Sequence, residues 1–363
     1  MIFSNTLIYW YLQIKRDLPW RKTKDPYLVW LSEIMLQQTR VSQGMSYFLA
    51  FSEEFPAIED LANAKESKVL KMWQGLGYYS RARNLHFTAK YITEELDGHF
   101  PATYEELIKL KGIGDYTASA ISSICFDEPE AVVDGNVYRV LARVFNIKTP
   151  INTSHGVKKF KILAQSLLDT SQPGVYNQAI MDFGALQCKP QNPDCRHCPI
   201  NSSCEAYANN LVKELPVKEK KLKIKTKYFN YIVIVTSNNK TIFEERIGKG
   251  IWEGLYQFPL IETNKEVQLD ELINLSDFKT LVLENSEIKL FNTKTIIHKL
   301  SHQHLHTNFW IIKSNDHQDA LVSWQEIETF PVSILIANFL KEFTPKLNNF
   351  FSFTGNSFTR LFA

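Results

Sequence analysis

Two acidic side chains and a group of thiols are the chemistry-bearing features of this 363-residue chain. Glu33 stands in YLVWLSEIML, where nearly every neighbour is apolar. A helix carrying it would push the carboxyl group into poorly hydrated surroundings and raise its pKa, and such a group can donate a proton. Asp134 stands in AVVDGNVYRVLARV, after a short apolar run and just before a helical pattern. Taken singly it reads as a helix N-cap. Taken as a pair, two carboxyls in unlike environments, one protonated and one ionised, form the arrangement that cleaves glycosidic bonds. The acid assists the leaving group and the anion stabilises an oxocarbenium-like centre.

Four of the five cysteines, Cys188, Cys195, Cys198 and Cys204, are spaced C-x6-C-x2-C-x5-C, while Cys125 is alone. Such a set can form disulfides, grip one zinc ion or hold an iron–sulfur cluster. Without a secretion signal, disulfides are the least favoured of the three, and spacing alone leaves zinc and iron–sulfur level. The interleaved Pro190, Pro193 and Pro199 suit a loop. A third feature is KGIGDYTA, residues 111–118, preceded by YEELIKL. This is the pattern of a helix, a G-h-G turn and a second helix, in which Gly112 and Gly114 could expose backbone N–H groups to a phosphate. It would hold a duplex without reading its bases.

The elements that must carry these residues divide the chain in two. At roughly 150 residues per domain, the length implies two or three domains. Up to about Ala208 the pattern is helical: Leu61 to Trp73 reads as one helix with Asp60 as its N-cap, and Val137 to Phe145 as another. Residues 211–227 carry seven lysines and one proline and read as an exposed basic linker. After Tyr228 the grammar becomes α+β. Strands are expected at 228–235, 241–246, Ile296 to Leu300 and Asn308 to Ile312, and helices at Trp324 to Phe330 and Ser333 to Glu342. The Phe-rich tail, 346–363, reads as a disordered end, a packing strap or a docking peptide, with no role assigned.

A formal charge of +2, from 41 basic and 39 acidic residues, names no partner. No run approaches the roughly 18 apolar residues that a membrane helix needs, so no membrane partner is expected. The first residues, MIFSNTLIYWYLQIKRDLPW, carry their charges after the apolar part and lack a small-residue cleavage site. The expected compartment is therefore the cytoplasm.

Six ordered motifs resemble those of MutY-type adenine DNA glycosylases, members of the helix-hairpin-helix (endonuclease III) superfamily. They are LPWR at 18–21, VWLSEIMLQQTRV at 29–41, GLGYYSRARNL at 75–85, KGIGDYTA at 111–118, VDGNVYRVLAR at 133–143, and the four-cysteine loop. The resemblance implies a multi-domain fold. Its first part is an all-α helix-hairpin-helix glycosylase domain over 1–210, with an iron–sulfur loop at 188–204. A basic linker at 211–227 joins it to an α+β Nudix-like domain at 228–345. It further implies a [4Fe–4S] cluster on the four cysteines and a monomer acting on double-stranded DNA with adenine opposite 8-oxoguanine or guanine.

Residue by residue, Glu33 matches the acid that protonates adenine and Asp134 the carboxylate that stabilises the sugar cation. Asn136 matches a residue that positions water or Asp134. Arg16, Trp20, Arg21 and Asp182 match the adenine pocket, and Gln38 and Tyr78, with Leu36, the side chains that wedge into the duplex once the base is turned out. Where Tyr116 stands, relatives that also cut the backbone carry a lysine that forms a Schiff base. Tyrosine cannot, so strong lyase activity is not expected. In LSHQHLH, Ser301 and His302 match the contacts to the oxidised base, although most members have phenylalanine where Leu300 stands. In a strand, His302, His304 and His306 would share one face. Residues 254–275 lack the clustered glutamates of a working Nudix site, so nucleotide hydrolysis is not expected.

Overall fold

The computed structural model describes residues 2–219, 224–283, 286–314, 317–319, 321–347 and 359–360. The chain divides into two compact units, Met1–Ala64 with Arg83–Lys220 and Lys65–Ala82 with Lys221–Ala363.

The first unit is helical, and its described residues contain no strand. Its helices are α1 (Ile2–Ile14), α2 (Pro26–Leu36), α3 (Val41–Glu54) and α4 (Ile58–Asn63). Helix α5 (Glu66–Met72) belongs to the second unit, and α6 (Ser80–Glu95) begins there and runs on into the first, which continues with α7 (Tyr104–Leu107), α8 (Asp115–Cys125), α9 (Gly135–Val144), α10 (Ser154–Leu167), α11 (Pro173–Asp182) and α12 (Glu205–Ala208). Two of them, the apolar α2 and the small-residue α8, are buried nearly all round and pack against each other. Asp25 caps α2 by accepting from the Tyr27 N–H at 2.9 Å, and Pro26 occupies the first turn, where its missing N–H costs nothing. Thr103 caps α7 in the same way.

The turn between α7 and α8 needs glycine at Gly112, where φ is +82° and a Cβ would lie 2.6 Å from Asn84 Cβ. Gly114 is different: at φ −99° and ψ 179° it has extended backbone that any residue adopts, with open space at the Cβ position.

The expected single helix from Leu61 to Trp73 is two helices, α4 and α5. Ala64 turns to ψ 151°, and its carbonyl is taken by His86 Nε2 at 2.9 Å instead of continuing the ladder. Asp60 is not the N-cap. It lies in the first turn and accepts from the Ala57 N–H at 2.9 Å, the acidic half of a capping box. Nor is the first part of the lysine-rich segment a free tether: Leu215 is buried, its carbonyl accepts from Arg143 Nε at 3.1 Å, and the Ile151 N–H donates to the Val217 carbonyl at 3.0 Å.

The second unit is a mixed sheet. Strand β1 (Lys225–Thr236) is followed by the two-residue strands β2 (Lys240–Thr241), β3 (Glu244–Glu245) and β4 (Tyr256–Gln257). Then come β5 (Leu260–Thr263), β6 (Glu287–Leu290), β7 (Ile296–Lys299), β8 (Gln303–Ser314), β9 (Val322–Ser323) and β10 (Thr359–Arg360). The central pair, β1 and β8, is parallel over its full length, and the order across the sheet is β10-β6-β8-β1-β5 with β7 also on β8. Strand alternation sends Phe229, Tyr231, Val233 and Val235 to one core and Ile232 and Ile234 to the other.

Helices α13 (Leu269–Leu272) and α14 (Ser276–Leu281) cover the second core, and α15 (Ile334–Phe343), capped by Ser333, covers the first. The strand expected at 241–246 is broken into β2 and β3 around the partly buried Ile242 and the buried Phe243, which join opposite cores. Of the helix expected at Trp324 to Phe330, only a 3-10 turn at Glu326–Thr329 forms, because Trp324 and Ile327 are drawn into the core. Residues 348–358 and 361–363 of the tail lie outside the described residues, while Thr359–Arg360 pair antiparallel with β6.

Candidate active site

A cavity of about 720 Å³ in the helical unit is lined by Arg16, Trp20, Arg21, Glu33 and Leu36 from the first helices, Tyr116 from α8, Asp134 and Asn136 at the start of α9, and Asp182 at the end of α11. A neighbouring cavity of about 490 Å³ shares Glu33, Leu36, Tyr116 and Asp134 and adds Gln38 and Gly114. Eleven of the residues picked out by sequence therefore meet at two adjoining cavities. Gly112 lies at the hairpin turn and lines neither.

Glu33 accepts a 2.6 Å hydrogen bond from the Tyr116 hydroxyl, which is also 3.2 Å from Met181 Sδ. Burial pushes the Glu33 carboxyl up to about 7, the Tyr116 bond pulls it down, and the nearby Asp134 charge raises it again. Asp134 has different surroundings. As N-cap of α9 it accepts from the Asn136 N–H at 2.9 Å and the Val137 N–H at 2.8 Å through Oδ1, and from Asn136 Nδ2 at 2.7 Å through Oδ2. Burial raises its pKa on balance, and these three donors and the Arg139 charge limit the rise. Oδ1 spends both lone pairs on backbone N–H groups, so protonating that oxygen would sacrifice a bond.

The extended segment that delivers Asp134 is clamped by side chains: Asn177 Oδ1 accepts from the Val132 N–H at 3.1 Å, Gln165 Oε1 accepts from the Ala131 N–H at 3.0 Å, and Lys161 Nζ donates to the Ala131 carbonyl at 2.8 Å.

At the far wall, Asp182 is fully buried and shared by two arginines. Arg21 grips it with both amino groups at 2.6 and 2.8 Å, and Arg16 donates to Oδ1. Burial alone would raise the Asp182 carboxyl, but the two guanidiniums more than offset it and hold it below the usual range. One carboxylate against two arginines leaves an uncompensated positive charge on the cavity wall, beside the buried Trp20. The lining also includes Arg139 and Gln178, which sequence reasoning passed over. The signals were spacing: Arg139 lies three residues after Asn136 on α9, and Gln178 four before Asp182 on α11.

Over residues 31–164 the chain matches the HhH-GPD superfamily of base excision DNA repair proteins, and over 230–342 a NUDIX domain. An adenine DNA glycosylase of Buchnera aphidicola subsp. Baizongia pistaciae is 38% identical over 86% of this chain and 86% of its own length. The chain belongs to the adenine DNA glycosylase family. The Homo sapiens member is 45% identical over 56% of this chain and 39% of its own. Among solved structures, a thermostable thymine-DNA glycosylase superposes with a TM-score of 0.54 at 28% identity, covering 57% of this chain and 96% of that one. An endonuclease III–DNA complex, at 19% identity and a TM-score of 0.51, shares the fold of the helical part, covering 58% of this chain and 95% of that one. The protein is thus a DNA glycosylase of base-excision repair, with a helical catalytic part and a Nudix-like sheet.

In this glycosylase the four loop cysteines line one cavity with Arg143, and none forms a disulfide. Arg143 Nη1 donates to Cys188 Sγ at 3.4 Å and to the Lys189 carbonyl at 2.7 Å. Burial, and then the charges of the neighbouring thiols, push Cys195 and Cys198 up, so thiolates here require a compensating cation. That donor set, soft and convergent, fits a thiolate-bound metal centre. Among the described residues no three thiol, imidazole or carboxylate groups are placed to hold a single metal ion.

Arg139 joins this loop to the N-terminal end of α9. It donates to the Cys188 carbonyl at 2.8 Å, the Gly184 carbonyl at 2.6 Å and Asn136 Oδ1 at 2.8 Å.

The two wedge candidates share a backbone state. Gln38 (φ +55°) and Tyr78 (φ +48°) are both exposed and both in the left-handed region, which costs a non-glycine residue roughly 1–3 kcal/mol and is concentrated at functional sites. In the sheet unit Ser301 and His302 are exposed in the tight turn between β7 and β8, with Leu300 packed against the core beneath them. Because β8 begins at Gln303, His302 is in the turn, and only His304 and His306 share a strand face.

Proposed function

We propose that the enzyme hydrolyses the N-glycosidic bond of adenine opposite 8-oxoguanine, and less readily opposite guanine, in duplex DNA. It acts as a monomer at the nucleoid in the cytoplasm, with a catalytic domain over 1–210 and a recognition domain over 228–345. The observation that carries this reading is the convergence on one cavity of two carboxyls in unlike surroundings, Glu33 with a single hydrogen-bond donor and Asp134 with three.

The duplex is held without base reading at the Gly112–Gly114 hairpin. Adenine is turned out of the stack, at a cost of a few kcal/mol, into the cavity between Trp20 and the Arg16–Arg21–Asp182 cluster, while Gln38 and Tyr78, with Leu36 as a further wedge residue, fill the gap. Glu33, neutral near its pKa of about 7, transfers its proton to N7 of the base. The C1′–N9 bond breaks with its electrons going to the base, which leaves neutral. Asp134, ionised, meets the charge on the sugar. Asn136 holds Asp134 and directs water to C1′; as the O–C1′ bond forms, the water's proton passes to the Glu33 carboxylate, giving an abasic site and restoring the acid. Ser301 and His302 read the oxidised base opposite.

Cys188, Cys195, Cys198 and Cys204 would hold a [4Fe–4S] cluster. When bound, it supplies a rigid thiolate cross-link that orders the loop, with one-electron chemistry as its other capacity. Arg139 ties that loop to Asn136, and Arg143 ties it to the body of α9.

Two experiments test this. Duplexes with A opposite 8-oxoguanine, G or T are incubated with enzyme and abasic sites are cleaved with alkali. Strong cleavage is expected for the first, weaker for the second and none for the third; equal cleavage of all three sinks the substrate assignment. Borohydride added during turnover should trap little covalent adduct, since Tyr116 offers no amine. Efficient trapping would overturn that role.

Tyr116→Phe is expected to shift the alkaline limb of the activity profile to higher pH. The lost hydroxyl favours the charged form of Glu33, so removing it raises the Glu33 pKa further. A limb displaced to lower pH would show that Tyr116 does not donate to Glu33.

A further inference from the structure

The wedge candidate Tyr78 belongs to a segment, Lys65–Ala82, that groups with the sheet and not with the catalytic helices. Its turn is built to be stiff. Gly75, Gly77 and Tyr78 all have positive φ, at 104°, 74° and 48°. Two side chains hold the Gly77 carbonyl, Trp73 Nε1 at 3.1 Å and Arg81 Nη2 at 3.1 Å. Arg81 also lies over the rings of Trp73 and Tyr78. Beneath this turn, three side chains reach residues more than 250 positions later. Tyr79, buried, donates its hydroxyl to the Val332 carbonyl at 3.1 Å. Gln74 Oε1 accepts from the Val332 N–H at 3.2 Å, and Lys71 Nζ donates to the Phe330 carbonyl at 3.0 Å.

Both backbone groups of Val332 are therefore taken by the wedge segment, one by Gln74 and one by Tyr79. Val332 is not a surface residue. It is buried in the core that includes Leu305 and Phe309 of β8, and Leu300, the residue before Ser301, packs on that same core. The turn that carries the wedge and the turn that carries the base-reading residues are thus fastened to one packed body.

Resting on the proposed reading of Ser301 and His302, we propose that Tyr79 and Gln74 are positioning residues. They tie Tyr78 to the sheet core so that recognition of the base opposite adenine and filling of the vacated stack are coupled, and this coupling contributes to discrimination between 8-oxoguanine and guanine. Neither residue touches substrate. Their effect passes through the orientation of Tyr78, which a packed core transmits because it deforms little.

The test uses the full-length double variant Tyr79→Phe with Gln74→Leu, with each single variant beside it. Single-turnover adenine release is measured on A:8-oxoguanine and A:G duplexes, and thermal unfolding on the free proteins. The ratio of the two rates is expected to fall about tenfold in the double variant, on the scale of one or two ordinary hydrogen bonds lost from the coupling, with only a small change in unfolding temperature. An unchanged ratio overturns the coupling, as does an equal slowing of both substrates accompanied by a large loss of stability, which marks a merely structural role. A wild-type enzyme that does not distinguish the two duplexes removes the reading of Ser301 and His302 and the coupling with it. Wild-type discrimination that persists in the variant removes the coupling alone.

Discussion

Glu33→Gln is expected to reduce single-turnover adenine release by roughly 10³-fold or more, at the upper part of what general acid catalysis contributes. Glutamine preserves the shape and can still accept the Tyr116 hydroxyl bond, but has no proton of suitable acidity to give. The loss should fall on the chemical step, with duplex binding unchanged. Stability separates this from a folding defect. Because the folded-state pKa of Glu33 is raised, its carboxyl is comfortably buried only while protonated. The associated stability is full below the ordinary carboxylate range and lost as pH rises through about 7. Above neutrality Glu33→Gln, inactive, should therefore unfold at a temperature equal to or above that of the parent. A variant that is destabilised and inactive at high pH would contradict the burial argument, and one that releases adenine normally would remove Glu33 from the chemistry.

Asp134→Asn is expected to cost roughly 10²–10³-fold in the same assay, comparable with deleting other preorganised electrostatic groups. The substitution is informative because asparagine is as good an N-cap as aspartate. Its side-chain oxygen can keep accepting from the Asn136 and Val137 N–H groups, so α9 should persist by circular dichroism while the charge that meets the sugar cation is gone. Retained activity with α9 intact would reduce Asp134 to its capping role, which is the reading its local sequence invites. Loss of both helix and activity would leave the cap as the larger effect.

Much of this site is legible in the chain because its parts are local. The apolar setting of Glu33 foretells a carboxyl with a raised pKa, since a helix with no polar face has only the interior to occupy. The cysteine spacing foretells a loop whose thiols converge. Tyr116 is two residues past a glycine turn, and its hydroxyl reaches Glu33 across the packing of α8 on α2.

What could not be read is the part set by tertiary partners. Arg139 looks like an ordinary helix arginine, and its task emerges only when the cysteine loop brings the Gly184 and Cys188 carbonyls to it. The break between α4 and α5 has no glycine or proline to announce it, because a histidine from α6 supplies the hydrogen bond that stops the first helix. The parallel pairing of β1 with β8 joins segments separated by several other strands, a distance over which alternation carries no register. Gly114, grouped by motif with Gly112, turns out to need no glycine geometry at all.

Central to everything is a carboxylic acid kept neutral by burial and used as a proton donor. The most direct measurement is the pH dependence of single-turnover adenine release from an A:8-oxoguanine duplex under enzyme excess, in the wild type and in Glu33→Gln. The expected wild-type rate is level on the acid side and falls tenfold per pH unit above about 7, while the residual rate of the variant shows no such limb. A wild-type rate that is flat or rises through that region, or a limb that survives in Glu33→Gln, would contradict the account.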